Sequence, residues 1–123
     1  MEAIIEARRN VNIAKAMLAD QAKEKDGLVQ NRTYVKKAGV AVYSSLLKAI
    51  DALLTGDKRE YHYQDELYKI DKKITSHFVT AQQILQTSMG IDGSRSVEIA
   101  KMGISEAEKI ITWVENRLNR NQK

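Results

Sequence analysis

From Val97 to Leu118 apolar residues recur at alternating steps of three and four: Val97, Ala100, Ile104, Ala107, Ile111, Val114 and Leu118. That spacing lines up one face of a helix, so the stretch predicts a long amphipathic helix whose apolar side needs a partner. The same steps run through Ile4, Ala7, Val11, Ala14 and Leu18, and again through Leu67, Ile70, Ile74, Phe78, Ala81 and Leu85. Residues 38–54, AGVAVYSSLLKAIDALL, carry two stripes side by side. One is Gly39, Val42, Leu46, Ala49 and Leu53; the other is Val40, Tyr43, Leu47, Ile50 and Leu54. A helix with so wide an apolar arc contacts two neighbours at once.

Punctuation fits the same reading. Proline is absent, and Gly27, Gly56 and the pair Gly90 and Gly93 cut the chain into four helical segments. Asn31 or Thr33 is placed to cap the second helix, Asp65 the third and Ser94 the fourth. Short connections between amphipathic helices favour antiparallel neighbours, so the expected fold is all-α, an antiparallel up-down four-helix bundle without strands, forming a single domain over residues 1–123. One local conflict stands in the fourth helix. Gly103 precedes SEAE at 105–108, where Ser105 and Glu108 have capping-box spacing, which predicts a kink or break near Gly103.

The sequence narrows the function classes. A chain of 123 residues buries a sizeable core without staples. It has no cysteine, which removes disulfides, thiolate metal sites and cysteine nucleophiles. The opening MEAIIEARRN lacks the basic-then-apolar pattern of a signal peptide, and a cytoplasmic protein is expected. Residues 38–47 are uncharged, but Lys48 and Asp51 end the run well short of the roughly 18 to 20 apolar residues that cross a bilayer, so no membrane span is expected. The formal charge of +4 permits a polyanionic partner, yet acids are interspersed with bases along nearly the whole chain.

Chemistry-bearing patterns are sparse. No Glu has a His three residues on, as carboxylate-bridged di-metal bundles require. His62 and His77 form no zinc-type pair, and His62 with Glu66 supplies two ligands at best. His77 falls beside the Ile74 and Ala81 stripe and reads as a satisfied histidine at the edge of the core. GIDGSR at 90–95 has the look of an anion nest, but a helix C-cap followed by a turn accounts for both glycines. No serine has a base positioned to activate it. No catalytic residue, metal site or cofactor is therefore expected.

One segment stands apart. DKREYHYQDELYK, residues 57–69, sets aromatic rings among charged groups between the second and third helices. Aromatics interleaved with Lys and Arg stack bases while neutralising phosphates, which makes Arg59, Tyr61, His62, Tyr63 and Tyr68 the candidate nucleic-acid or ligand surface. The alternative is that these tyrosines close one end of the bundle, with rings buried and hydroxyls wet. A separate expectation concerns the second stripe of the second helix. Val40, Tyr43 and Leu47 form a candidate self-association face, suited to a symmetric homodimer.

Taken together, the opening helix EARRNVNIAKAML, the Ala-rich second helix with VYSSLLKAIDALL, the tyrosine-bearing connection and the final ITWVENRL resemble the HEPN domain, the higher-eukaryote and prokaryote nucleotide-binding helical bundle. The resemblance implies a homodimer that binds RNA or nucleotides and works with a nucleotidyltransferase or in a toxin-antitoxin system. Catalytic members carry Arg, a polar residue and His within four to six residues. Here no Arg has His at that distance, and Arg59 is too close to His62, so the resemblance is to a non-catalytic version. The pattern is equally similar to the small bacterial helical-bundle families that have no assigned function. Two expectations follow: a non-enzymatic bundle acting through protein-protein interaction or self-association, or a HEPN-like RNA-binding protein; a small apolar ligand held between helices is a third, which no residue favours.

Overall fold

The computed structural model describes residues 2–20, 24–54 and 63–121. Their architecture is helical: α1 spans Glu2–Asp20, α2 Arg32–Leu53, α3 Tyr63–Ile70, α4 Lys72–Gln82 and α5 Val97–Asn121. A π-helical segment, Gln83–Ile91, continues α4 directly. Between α1 and α2 lies a two-residue ladder of β1 (Glu24–Lys25) and β2 (Leu28–Val29), paired antiparallel with Glu24 opposite Val29.

The apolar stripes form one core. Ile4, Ala7, Val11 and Ala14 of α1 are buried, as are Ala100, Ile104, Ala107, Ile111 and Val114 of α5. The wide arc of α2 is buried along most of its length, including Val35, Ala38, Val42, Leu46, Ala49 and Ile50, because α2 faces α1, the π-helical segment and α5. Fully burying a Leu or Ile side chain contributes roughly 1.5–3 kcal/mol, so this arc is the largest single source of stability in α2.

Cross-helix contacts fix the register. Arg8 reaches Glu115 at 2.8 Å and Lys15 reaches Glu108 at 2.8 Å, so as α1 advances its partners on α5 recede. Tyr43 of α2 meets Gln82, whereas Gly39, one turn earlier, meets Leu85 and Met89 of the π-helical segment. His77 of α4 meets Glu106, and Gly103 lies under Ile84.

Four local expectations are corrected. The third apolar stripe does not belong to one helix: Asp71 takes extended geometry, φ −157° and ψ 113°, and its carboxylate accepts from Lys73 N at 2.9 Å and Ile74 N at 3.2 Å. Asp71 therefore caps α4, while Asp65 sits inside α3. Ser96, not Ser94, caps α5, accepting from Ile99 N at 3.3 Å; Asn31 caps α2 through Thr33 N at 3.1 Å. Strands are present, if minimal. Asp26 and Gly27 hold φ of 55° and 79°, the left-handed pair that closes a two-residue hairpin, so Asp-Gly here is a hairpin turn. Finally, α5 runs through Gly103 without a break. Glycine is needed there because a Cβ would collide with Ile84, whose own Cβ would stand 3.1 Å away.

The hairpin is tied to the start of α5 by backbone bonds. Val29 N donates to Arg95 O at 2.8 Å and Val97 N to Gly27 O at 3.2 Å, while Arg95 Nε returns a bond to Val29 O at 3.1 Å. The end of the π-helical segment is closed by Arg32, whose guanidinium donates to the carbonyls of Gly93 at 3.1 Å and Asp92 at 2.6 Å. A cation at a helix C-terminus meets the orphan carbonyls and the negative end of the dipole. Gly93, with φ of 62°, supports the C-cap reading for the second glycine, whereas Gly90 lies within the π-helical segment and ends no helix, so the segment closes only after Ile91.

Candidate functional site

The residues singled out from sequence have divergent fates. Arg59, Tyr61 and His62, like Gly56, lie outside the described residues. Tyr63 is buried, and its hydroxyl donates to Asp51 Oδ1 at 2.6 Å, tying α3 to the end of α2. Tyr68 is 54% exposed, with Lys72 Nζ 5.4 Å from the ring centroid. Two tyrosines five residues apart on a helix project to opposite sides, so α3 uses one as an anchor and presents the other. Asp65, Glu66 and Lys69 surround Tyr68 in a shallow depression.

The stripe Val40, Tyr43 and Leu47 is graded in burial. Val40 is 59% exposed, while Tyr43 and Leu47 are half-buried against the core. Tyr43 is engaged across the helix interface, its hydroxyl accepting from Gln82 Nε2 at 3.1 Å. Val40 sits over Gly90, where a glycine Cβ would lie 3.6 Å from Val40 Cγ2, and the next residue, Ile91, is 65% exposed.

His77 is satisfied at the core edge. Its Nδ1 pairs with Glu106 Oε2, and Lys109 Nζ reaches the other carboxylate oxygen at 3.3 Å. Burial of Glu106 pushes its pKa up, but the hydrogen bonds from His77 and Lys109, with their charges, outweigh that effect and hold it below the ordinary carboxylate value. Periodicity had placed His77 beside the core, but its partner lies on another helix and leaves no trace in local spacing. Among the described residues no group of three or more His, Asp or Glu side chains is arranged to hold a metal ion.

A cavity of about 390 Å3 lies between the C-terminal half of α1, the hairpin and the first turns of α5. Leu18, Val29, Val97, Ala100 and Ile104 line it, with Lys15, Lys101 and Glu108 among its polar boundaries. It arises because α5 extends past the end of α1, and the small side chains of Ala19 and Ala100 leave room where the hairpin takes over.

These features define an all-helical protein with no helix, among the described residues, long and apolar enough to cross a membrane. The chain belongs to the family described as Domain of unknown function (DUF5618), whose model matches residues 2–116. It is similar to a solved structure, a protein of unknown function from Dyadobacter fermentans, with 42% identity and a TM-score of 0.89. That likeness covers 95% of this chain and 96% of the other. No curated protein matches the chain. Membership agrees with the expectation of a small helical family without assigned function.

Proposed function

We propose that this protein is a non-enzymatic, cytoplasmic helical bundle that acts through self-association, with the outer edge of α2 as the contact. The rods α1, α2, α4 with its π-helical continuation, and α5 form its up-down antiparallel frame as one domain. Receding cross-helix contacts, such as Arg8 to Glu115 followed by Lys15 to Glu108, support that frame. The observation that carries the function is the exposure of Val40 and Ile91, 59% and 65%, beside the glycine crossing of α2 and the π-helical segment. Apolar side chains at a close, rigid crossing suit a two-fold contact in which each copy covers the other's patch. Sedimentation of the purified protein at tens of micromolar tests this. A dimer that Val40→Glu converts to monomer is expected; a clean monomer overturns the reading.

A second reading rests on Tyr68. An exposed ring with Lys72 beside it is the kind of platform on which a base stacks while its phosphate is neutralised. In this reading the chain is HEPN-like, binding RNA or nucleotides alongside a nucleotidyltransferase or a toxin partner. Titration with single-stranded RNA at low and moderate salt separates the two, since phosphate contacts give salt-dependent affinity. Absence of binding at low salt removes it.

A further inference from the structure

We propose that the cavity bounded by α1, the hairpin and α5 is a binding site for a free amphipathic monoanion, an unbranched alkyl carboxylate whose chain enters the cavity and whose head group meets Lys101. Four observations converge on that chemistry. The volume of about 390 Å3 falls in the range of small-molecule sites, about 300–1,000 Å3. The walls are apolar, and Val29, Ala100 and Ile104 are otherwise among the buried residues, with 4%, 5% and 5% exposure. A chain placed there leaves water without displacing any polar partner of the protein.

The site is also built in advance. The bonds from Val29 to Arg95 and from Val97 to Gly27 hold the hairpin against α5, so the wall contributed by Val29 needs no ordering when a ligand enters. Charge selects the head group. Lys15 is neutralised by Glu108 at 2.8 Å, whereas Lys101 has no ion-pair partner among the described residues. Among the described residues, the uncompensated charge at the boundary of the cavity is thus one cation, complementary to one anionic group. A slot of this size, walled on the hairpin side by Val29, suits a single free chain rather than a lipid held in a bilayer.

Calorimetric titration of the full chain with monomeric decanoate tests the assignment, with decanol and decyltrimethylammonium as neutral and cationic probes of equal chain length. Decanoate is expected to bind with the highest affinity, decanol more weakly and the cation weakest. Lys101→Glu should weaken decanoate by about tenfold or more while leaving decanol unchanged. Ala19→Leu, at an exposed helix position that lines the cavity, should block both probes without altering thermal unfolding. Vesicles of phosphatidylglycerol should not compete. No decanoate binding at millimolar concentration overturns the proposal, as does equal affinity for the cationic probe or indifference to both substitutions. Binding to vesicles in preference to free decanoate also overturns it, by showing a bilayer surface as the source.

Discussion

Gly39 of α2 lies so close to Leu85 of the π-helical segment that a Cβ at position 39 would stand 2.6 Å from the Leu85 carbonyl oxygen and 2.7 Å from Met89 Cβ. The crossing is glycine on both sides, since the same Cβ would lie 3.1 Å from the backbone nitrogen of Gly90. A carbonyl and a backbone cannot swing aside as a flexible side chain can, so the separation of the two helices is set here.

Gly39→Ala is therefore expected to destabilise the fold by about 1 to 3 kcal/mol, the cost of overpacking. Within an unobstructed helix the same change stabilises by roughly 0.5–1 kcal/mol, so the sign alone decides. Gly27→Ala offers a contrast. Nothing stands within 4 Å of that position, but φ is 79°, and the expected loss of about 1 kcal/mol comes from backbone strain alone. Urea denaturation of the two variants checks both, and a stabilised Gly39→Ala would show that the crossing is looser than described.

The capping of α4 gives a second prediction. Asp71 accepts from two orphan N–H groups, so Asp71→Ala should cost about 1 kcal/mol, within the usual range for loss of an N-cap. Asp65→Ala, inside α3, should cost less than half as much. Equal effects in thermal denaturation would remove Asp71 from the capping role.

How much of this was legible before the structure follows from the range of each interaction. The burial of Ile104, Ala107 and Ile111 was written in a repeat internal to one helix, and so was that of Ile4, Ala7 and Val11. The cap of α5 was not. Val29 holds the backbone of Arg95 in an extended pairing, and helix can begin only after that bond, at Ser96; the choice of Ser96 over Ser94 is made by a strand far away in sequence. Asp71 was concealed because Leu67, Ile70 and Ile74 keep helical spacing across the interruption, although Ile70 ends up 38% exposed. The π-helical turn has no local pattern distinct from α-helix over so few residues; it shows only in backbone bonds that skip five residues, such as Asp92 N to Thr87 O at 2.9 Å. The hairpin did have a local sign, Asp-Gly, but flanking strands of two residues each carry too little alternation to stand out against the helical period on either side. Of the candidate surfaces, the tyrosine segment was visible but the opposite fates of Tyr63 and Tyr68 were not, since these depend on which side of α3 meets Asp51. The cavity is made by α1, β2 and α5 together, and no spacing within one segment announces it.

The register between α1 and α5 makes a third prediction. Arg8–Glu115 and Lys15–Glu108 lie at the solvent-facing edge, partly to well exposed, so each is worth only about 0.2–1 kcal/mol, but both depend on the same alignment. Lys15→Glu should destabilise by placing two carboxylates together, and Glu108→Lys added to it should restore most of the loss. A double-mutant cycle with no coupling energy would mean that the two side chains do not meet in solution.

The pairing of His77 with Glu106 carries a pH dependence whose sign is fixed by the depressed pKa of Glu106. A carboxyl with a folded pKa below its unfolded value binds fewer protons when folded, so its contribution is present above the unfolded value and disappears as pH falls through the folded one. The relevant window therefore begins near the ordinary glutamate value of about 4.3 and extends downward. Glu106→Gln keeps the shape of the side chain and one acceptor but removes the charge that meets His77 and Lys109. The Glu106 side chain is 14% exposed but His77 is 39% exposed, so solvent weakens the pair and the expected loss at neutral pH is about 1 kcal/mol. In urea denaturation across pH, the gap between parent and variant should close as pH falls from the ordinary glutamate value through the lower folded one. A gap that widens in acid would mean that Glu106 is protonated more readily in the folded chain than in the unfolded one, and that burial outweighs both of its partners.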